Sequence, residues 1–244
     1  MVIALIQARM GSTRLPGKVL KTIGTRPVIE HVIRRAEAAT LVDDVYVVTS
    51  IEKNNLPLIH FVSGLGVALY VGSEDDVLDR YWQAARLTRA DHFVRITADC
   101  PVMDPVMIDR VIALHLERGN DYTSNIAPPS WPDGLDVEVV TRDALRRCWS
   151  EATARHDREH VTPYIRANSR FFTLGNLSSQ KDLSSFRWTL DQTEDYEFLD
   201  SIYAELGTEN KIFGMDDILS LIEKRPELTA INSHISRNEG SKSE

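Results

Sequence analysis

The chain has 244 residues, 43% of them hydrophobic and 26% charged, and its 28 Lys and Arg against 36 Asp and Glu give a formal net charge of −8. That describes an ordinary globule with a substantial core, and the acidic balance argues against non-specific binding to a nucleic-acid backbone. No apolar run approaches the ~20 residues of a membrane span and no basic segment opens a signal peptide, so a cytoplasmic protein with neither membrane nor nucleic-acid partners is expected.

The first apolar run, Val2–Ile6, reads as a buried strand. It runs into Gln7-Ala-Arg-Met-Gly-Ser-Thr-Arg-Leu-Pro-Gly-Lys18, a loop carrying Gly11, Gly17 and the cations Arg9, Arg14 and Lys18. A strand that feeds a glycine-containing basic loop is how α/β proteins hold phosphate: the backbone approaches closely, free N–H groups point at the anion, and Arg or Lys neutralises it. The spacing is neither G-x-x-x-x-G-K-[ST], because Gly11 and Gly17 are six apart and Val19 follows Lys18, nor G-x-G-x-x-G.

Further short β-branched runs follow at Val45–Val48, Val67–Val71 and Phe93–Ile96. Amphipathic faces lie between and after them: Val28, Val32, Ile33 and Ala36; Val77, Leu78, Tyr81, Trp82 and Ala85; Met107, Ile108, Val111, Ile112 and His115. Alternation of this kind predicts a mostly parallel sheet with helices on both faces and right-handed crossovers. Ligands then bind at the carboxyl ends of the strands, in the loops after Ile6, Val48, Val71 and Ile96. From about residue 119 the alternation breaks. Strands are expected at Asp121–Asn125, Leu135–Thr141, Phe171–Asn176 and Phe186–Leu190, with helices at Arg142–Thr153, Glu159–Ala167, Thr193–Leu206 and Met215–Lys224. Pro128 to Gly134 reads as a rigid loop, and the polar residues from Ser233 onward as a frayed, disordered tail (233–244) on a single domain of residues 1–232.

Two carboxylates stand out. In Arg95-Ile-Thr-Ala-Asp-Cys-Pro-Val-Met-Asp104, Asp104 suits an N-cap with Pro105 in the first helical turn. That leaves Asp99, at the carboxyl edge of the sheet, for a divalent metal or substrate, and Mg²⁺ suits a site completed by substrate phosphates. In Trp188-Thr-Leu-Asp-Gln-Thr-Glu-Asp-Tyr-Glu197, Glu194 and Asp195 are explained by the helix dipole, while Asp191 reads either as an N-cap or as a second metal ligand. Ser73, with Asp76 three residues on, reads as an N-cap or as a contact to a base or ribose. His160 reads as a ligand contact or a solvated residue. Cys100 and Cys148 form no CxxC pair, so neither a disulfide framework nor a zinc site is expected; Cys100, beside the candidate acidic site, reads as a buried, inert thiol or as a reactive one.

Residues Ile6 to Leu20 closely resemble the N-terminal signature of the cytidylyltransferases that make CMP-activated acidic sugars, the CMP-Kdo and CMP-acylneuraminate synthetases. Gly72–Arg80, Ile96–Pro101, Pro132–Val139, Arg158–Arg166 and Leu190–Phe198 resemble the spore-coat polysaccharide branch of that family, and the resemblance runs from residue 1 to about 206. It implies a single Rossmann-like α/β domain of the nucleotide-diphospho-sugar-transferase type, CTP and an acidic sugar as substrates, and Mg²⁺. It also implies dimerisation, since members of the family are often dimers. Ala8, Arg9, Gly11, Ser12, Arg14 and Lys18 would bind the nucleotide's phosphates and Ser73 the cytosine. Arg9, Lys18 and Asp99 would be catalytic, Asp99 and Asp191 would hold the metal, and Asp133, Asp136, Glu138 and His160 would lie in the sugar region. The family's Asp-Thr-Pro-Glu-Asp motif reads Asp191-Gln-Thr-Glu-Asp195 here, without the proline. Two further readings are a glycosyltransferase on a similar sheet, against which stands the lack of a D-x-D motif in the right place, and a non-catalytic nucleotide-binding subunit of polysaccharide assembly.

Overall fold

The computed structural model describes residues 1–207 and 211–237. Its elements in chain order are β1 (Val2–Gln7), β2 (Thr22–Ile23), β3 (Arg26–Pro27), α1 (Val28–Glu37), β4 (Asp44–Ser50), α2 (Leu56–Gly64), β5 (Ala68–Gly72), α3 (Val77–Arg86), β6 (His92–Thr97) and α4 (Pro105–Arg118). The second half adds β7 (Tyr122–Ser124), β8 (Glu138–Thr141), α5 (Arg142–Glu151), α6 (Arg155–His160), α7 (Pro163–Ala167), β9 (Leu174–Asn176), α8 (Thr193–Leu206), α9 (Met215–Lys224) and α10 (Glu227–Ala230). Seven strands form one sheet in the order β5-β4-β1-β6-β8-β7-β9, and β2 and β3 form a separate small hairpin. Within the sheet only β8 runs against its neighbours. The expected mostly parallel α/β sheet is present.

Strand alternation builds the layers. Val2, Ala4 and Ile6 face the apolar stripes of α1, α2 and α4, while Ile3 and Leu5 face α3 and α5 on the other side. A third cluster joins Leu15, Val28, Leu135, Trp188 and Leu190 to α8 and α9. It clamps the loop after β1 and the segment preceding α8 against each other at the carboxyl end of the sheet. No helix among the described residues is long and apolar enough to cross a membrane.

Several boundaries differ from expectation. Helix α2 is hidden in the sequence because Leu56, Leu58, Ile59, Phe61 and Val62 leave little amphipathic contrast, with Pro57 in its first turn. Phe186–Leu190 forms no strand among the described residues: Arg187 makes an isolated bridge with Asp133, in which Asp133 N–H bonds the Phe186 carbonyl (2.9 Å) and Trp188 N–H the Asp133 carbonyl (2.6 Å). The single helix expected over Glu159–Ala167 is two, α6 and α7, broken where Val161 takes φ 73° just ahead of Pro163. Ser73 does not cap α3: Asp76 does, accepting from Asp79 N–H (2.9 Å), and the Ser73 hydroxyl accepts from Asp76 N–H (3.0 Å) in the preceding turn. The chain does not fray at Ser233, because Ile235 is buried and Arg237 pairs with Asp136; the rest of that expected tail, 238–244, lies outside the described residues.

Candidate active site

The loop between β1 and α1 is held open by bonds at its ends. Ala8 N–H reaches the Val48 carbonyl (3.1 Å), Met10 N–H the Asn55 side-chain oxygen (2.7 Å), and Gly17 N–H the Met10 carbonyl (3.3 Å). Gly17 has φ 68°, a conformation that favours glycine. Among the described residues no hydrogen bond takes the backbone N–H groups of Gly11, Ser12, Thr13 or Arg14, whereas the Ser12 hydroxyl accepts from Leu15 N–H (3.3 Å). These N–H groups border a cavity of about 330 Å³ also lined by Ala8, Arg9, Lys18, Thr97 and Asp99. Free donors, two arginines and a lysine around a cavity at a sheet's carboxyl edge have the chemistry to hold a phosphate chain.

Asp99 follows β6 and Asp191 follows the Phe186–Leu190 segment, and the backbone joins them: Leu190 N–H bonds the Asp99 carbonyl (2.8 Å). Their side chains converge on the Lys18 ammonium, Asp99 Oδ2 at 2.8 Å and Asp191 Oδ1 at 2.7 Å, with the Leu190 carbonyl a third acceptor at 2.8 Å. Arg14 lies 3.0 Å from the other oxygen of Asp191. Burial opposes charge on Asp99, but the Lys18 ammonium outweighs it and holds the carboxyl down to about 2. Burial likewise opposes charge on Lys18, and the two carboxylates overcome it and raise its pKa above the ordinary lysine value.

A second cavity, of about 480 Å³, opens on the far side of the same carboxylates and shares Thr97, Asp99 and Asp191 with the first. Asp133, Asp136, Glu138 and His160 all line it. Glu138 sits deep, with one oxygen on Arg95 (2.5 Å) and the other on the Tyr122 (2.6 Å) and Thr162 (2.5 Å) hydroxyls. The loop carrying Asp133 and Asp136 presses on the Trp188–Thr189 backbone at Gly134, where φ is 104° and an added Cβ would lie 2.5 Å from the Trp188 carbonyl carbon. Burial pushes the Cys100 thiol well up, so it rests as an inert thiol.

The structure thus brings Ala8, Arg9, Gly11, Ser12, Arg14, Lys18, Asp99 and Asp191 to one cavity and the four sugar-region residues to its neighbour. Ser73 lines neither. Sequence reading passed over the residues that hold these groups in place. Arg9 pairs with Glu74 (3.2 Å), which also accepts from Ser50, and Asn55 bonds Ser50 and anchors Met10. Asp195, assigned to the helix dipole, is fully buried; it takes both ends of the Arg187 guanidinium (2.8 Å each) and accepts from Asp191 and Gln192 N–H (2.9 Å each). A lone arginine in the apolar run Phe186–Leu190 was the one sequence sign of this buried pair.

A cytidylyltransferase family model matches residues 3–224. The spore coat polysaccharide biosynthesis protein SpsF of Bacillus subtilis is 30% identical over 234 residues, which span 93% of this chain and 95% of that protein. A 3-deoxy-manno-octulosonate cytidylyltransferase of Trichlorobacter lovleyi is 35% identical over 111 residues, 46% of this chain and 43% of its own length. Among solved structures, a cytidylyltransferase from Leptospira borgpetersenii superposes with a TM-score of 0.88 at 31% identity, covering 93% of this chain and 96% of the other. Fold and similarity define the class, an α/β nucleotidyltransferase. Within that class the chain belongs to the cytidylyltransferase family and is a cytidylyltransferase.

Proposed function

We propose that this enzyme transfers CMP from CTP to an acidic 2-keto-3-deoxy sugar, with release of pyrophosphate, in the cytoplasmic steps of surface-polysaccharide biosynthesis. The observation that carries the reading is the meeting of two cavities at one pair of carboxylates: the cationic, N–H-lined cavity for the triphosphate and the larger polar one for the acceptor share Asp99 and Asp191. The Bacillus and Trichlorobacter relatives supply the biosynthetic context and the sugar class by their names.

On this reading Arg9, Arg14 and the N–H groups of Gly11 and Ser12 bind the triphosphate, and Ala8 fixes where the loop leaves the sheet. The donor set fits Mg²⁺, because two hard carboxylate oxygens, one each from Asp99 and Asp191, converge on one place beside the phosphate cavity, where the Lys18 ammonium lies, and substrate phosphates would complete the shell. Asp99 and Asp191 would hold the ion, which when bound neutralises phosphate charge. The acceptor's hydroxyl oxygen attacks the α-phosphorus and gives up its proton to solvent, the bond from the α-phosphorus to the α–β bridging oxygen breaks, and pyrophosphate leaves with the electron pair. Positioning and charge neutralisation by Arg9, Arg14 and Lys18 then supply most of the acceleration.

The test is a pyrophosphate-release screen of CTP, UTP, ATP and GTP against 2-keto-3-deoxy acids and neutral sugars with Mg²⁺. Turnover with CTP and an acid is expected. Turnover confined to neutral sugars, or release of a nucleoside mono- or diphosphate in place of pyrophosphate, refutes the reading.

A further inference from the structure

The C-terminal segment lies beyond residue 224, where the family match ends, yet it returns to the acceptor cavity. After α10, buried Asn232 donates to the Arg187 carbonyl (2.9 Å) and to Asp195 (3.0 Å), and the Ser236 carbonyl accepts from Arg187 (3.4 Å). Ile235 is buried, and Arg237 projects into the cavity, bonding the Trp131 carbonyl (3.0 Å) and Asp136. A segment fastened through Asn232, Ile235, Ser236 and Arg237 that delivers one guanidinium into a substrate cavity is a built feature.

The cavity's other charges show what that guanidinium does. Five carboxylates line it, Asp99, Asp133, Asp136, Glu138 and Asp191, against the cations Arg95, Arg166 and Arg237. Arg95 is fixed to buried Glu138. Arg166 is exposed, at the end of α7. Arg237 is mostly shielded from solvent, with 16% of its side chain exposed, and its partner Asp136 makes no other hydrogen bond among the described residues. Asp136 is crowded by Asp133 and Glu138, and burial together with these like charges pushes its pKa up to about 7 in spite of Arg237. An incoming carboxylate can therefore displace Asp136 from the guanidinium. Near Asp99 and Asp191 the cations Lys18 and Arg14 are already paired with those carboxylates.

We propose that Arg237, carried by the C-terminal segment, reads the carboxylate of the acceptor and so sets the enzyme's preference for acidic sugars, exchanging Asp136 for the substrate in a charge-assisted, forked hydrogen bond. This rests on the acidic-sugar reading above and names the residue that enforces it.

The experiment measures pyrophosphate release with saturating CTP and Mg²⁺, using 3-deoxy-manno-octulosonate and N-acetylneuraminate, each as the free acid and as its methyl ester. Arg237→Ala should raise KM for the turned-over acid by about 10- to 100-fold, leave KM for CTP unchanged, and collapse the preference for acid over ester. Arg237→Lys should recover part of that preference, and Asp136→Asn, which removes the internal rival, should lower KM for the acid. An unchanged KM for the acid in Arg237→Ala overturns the assignment, as does an equal rise for acid and ester, the mark of a merely structural residue. A wild-type enzyme that uses neither acid overturns the functional reading and the assignment with it, a result distinct from a wild type that works and a variant that does not differ.

Discussion

Replacing Asp195 with alanine should cost this protein more than any single change in the phosphate loop, although Asp195 lines neither cavity. The carboxylate is fully buried, and its partner Arg187 has 4% of its side chain exposed. Without it, the carboxylates left to Arg187 among the described residues are Asp133 at 3.3 Å and Asp191 at 3.5 Å, neither in a forked arrangement, beside the Ser236 carbonyl at 3.4 Å. Removing one member of a buried ion pair costs about 3–5 kcal/mol, and the Asp191 and Gln192 N–H groups lose their acceptor as well. Taking about 4 kcal/mol, and ~2–4 °C per kcal/mol for a chain of this size, the midpoint of thermal unfolding should fall by roughly 10 °C. Urea unfolding followed by tryptophan fluorescence gives the free energy directly, since buried Trp188 adjoins Arg187. Arg187→Met with Asp195→Leu, which removes both charges, should be milder than Asp195→Ala alone. A loss below about 1 kcal/mol for Asp195→Ala, as for an exposed pair, or a double variant less stable than the single one, refutes the reasoning.

Other expectations follow from the same geometry. Asp99→Ala should lower turnover by on the order of 10²-fold or more, as for loss of a single electrostatic stabiliser, while CD spectra stay unchanged; near-normal pyrophosphate release contradicts it. Gly134→Ala should destabilise by roughly 1–3 kcal/mol, because alanine meets both a φ of 104° and the Trp188 backbone, and a neutral effect in urea titration would show that the loop can shift. Burial lowers the pKa of His31 from 6.5 to about 4, so the fold favours its neutral form. Its stabilising contribution is complete above 6.5 and is lost as pH falls toward 4, and His31→Gln should flatten that limb of a stability–pH profile. An identical slope in the variant rules this out.

The parts of the fold that sequence displayed were those where one periodicity dominated. Val2–Ile6, Phe93–Ile96 and the stripe through Val77, Tyr81 and Trp82 emerge as a strand, a strand and a helix because each has one buried pattern. Helix α2 was lost because it is apolar nearly all round, and the break at Val161 because no local signal marks a β-branched residue for positive φ. The site divides the same way. Loop cations and strand-end acids are visible because the proposed chemistry needs those residue types at those places. Arg187 with Asp195, Glu74 with Arg9, and Arg237 with Asp136 are not, because each joins segments 8 to 101 residues apart and only the folded chain brings them together.

Lys18 shows how the two cavities can depend on each other. Its ammonium spends three donors on Asp99, Asp191 and the Leu190 carbonyl, so the cation proposed to attract phosphate first serves to hold two like charges together. A divalent ion that takes the same oxygens competes with that ammonium, and a triphosphate that offers the ammonium new acceptors removes the competition. The two ligands are then coupled, and coupling is reciprocal: each must tighten the other by the same factor. Lys18→Met separates the terms. Without the ammonium, Mn²⁺ alone, used as a spectroscopic substitute for Mg²⁺, should bind tighter by at least about 10-fold in an EPR titration, because the two carboxylates lose their shared cation and Arg14 and Arg187 offset Asp191 alone. CTP should bind more weakly, and the mutual tightening between Mn²⁺ and CTP should shrink. If Lys18→Met binds Mn²⁺ no better than wild type does, the ammonium is not the ion's competitor, and Lys18 acts on the phosphates alone.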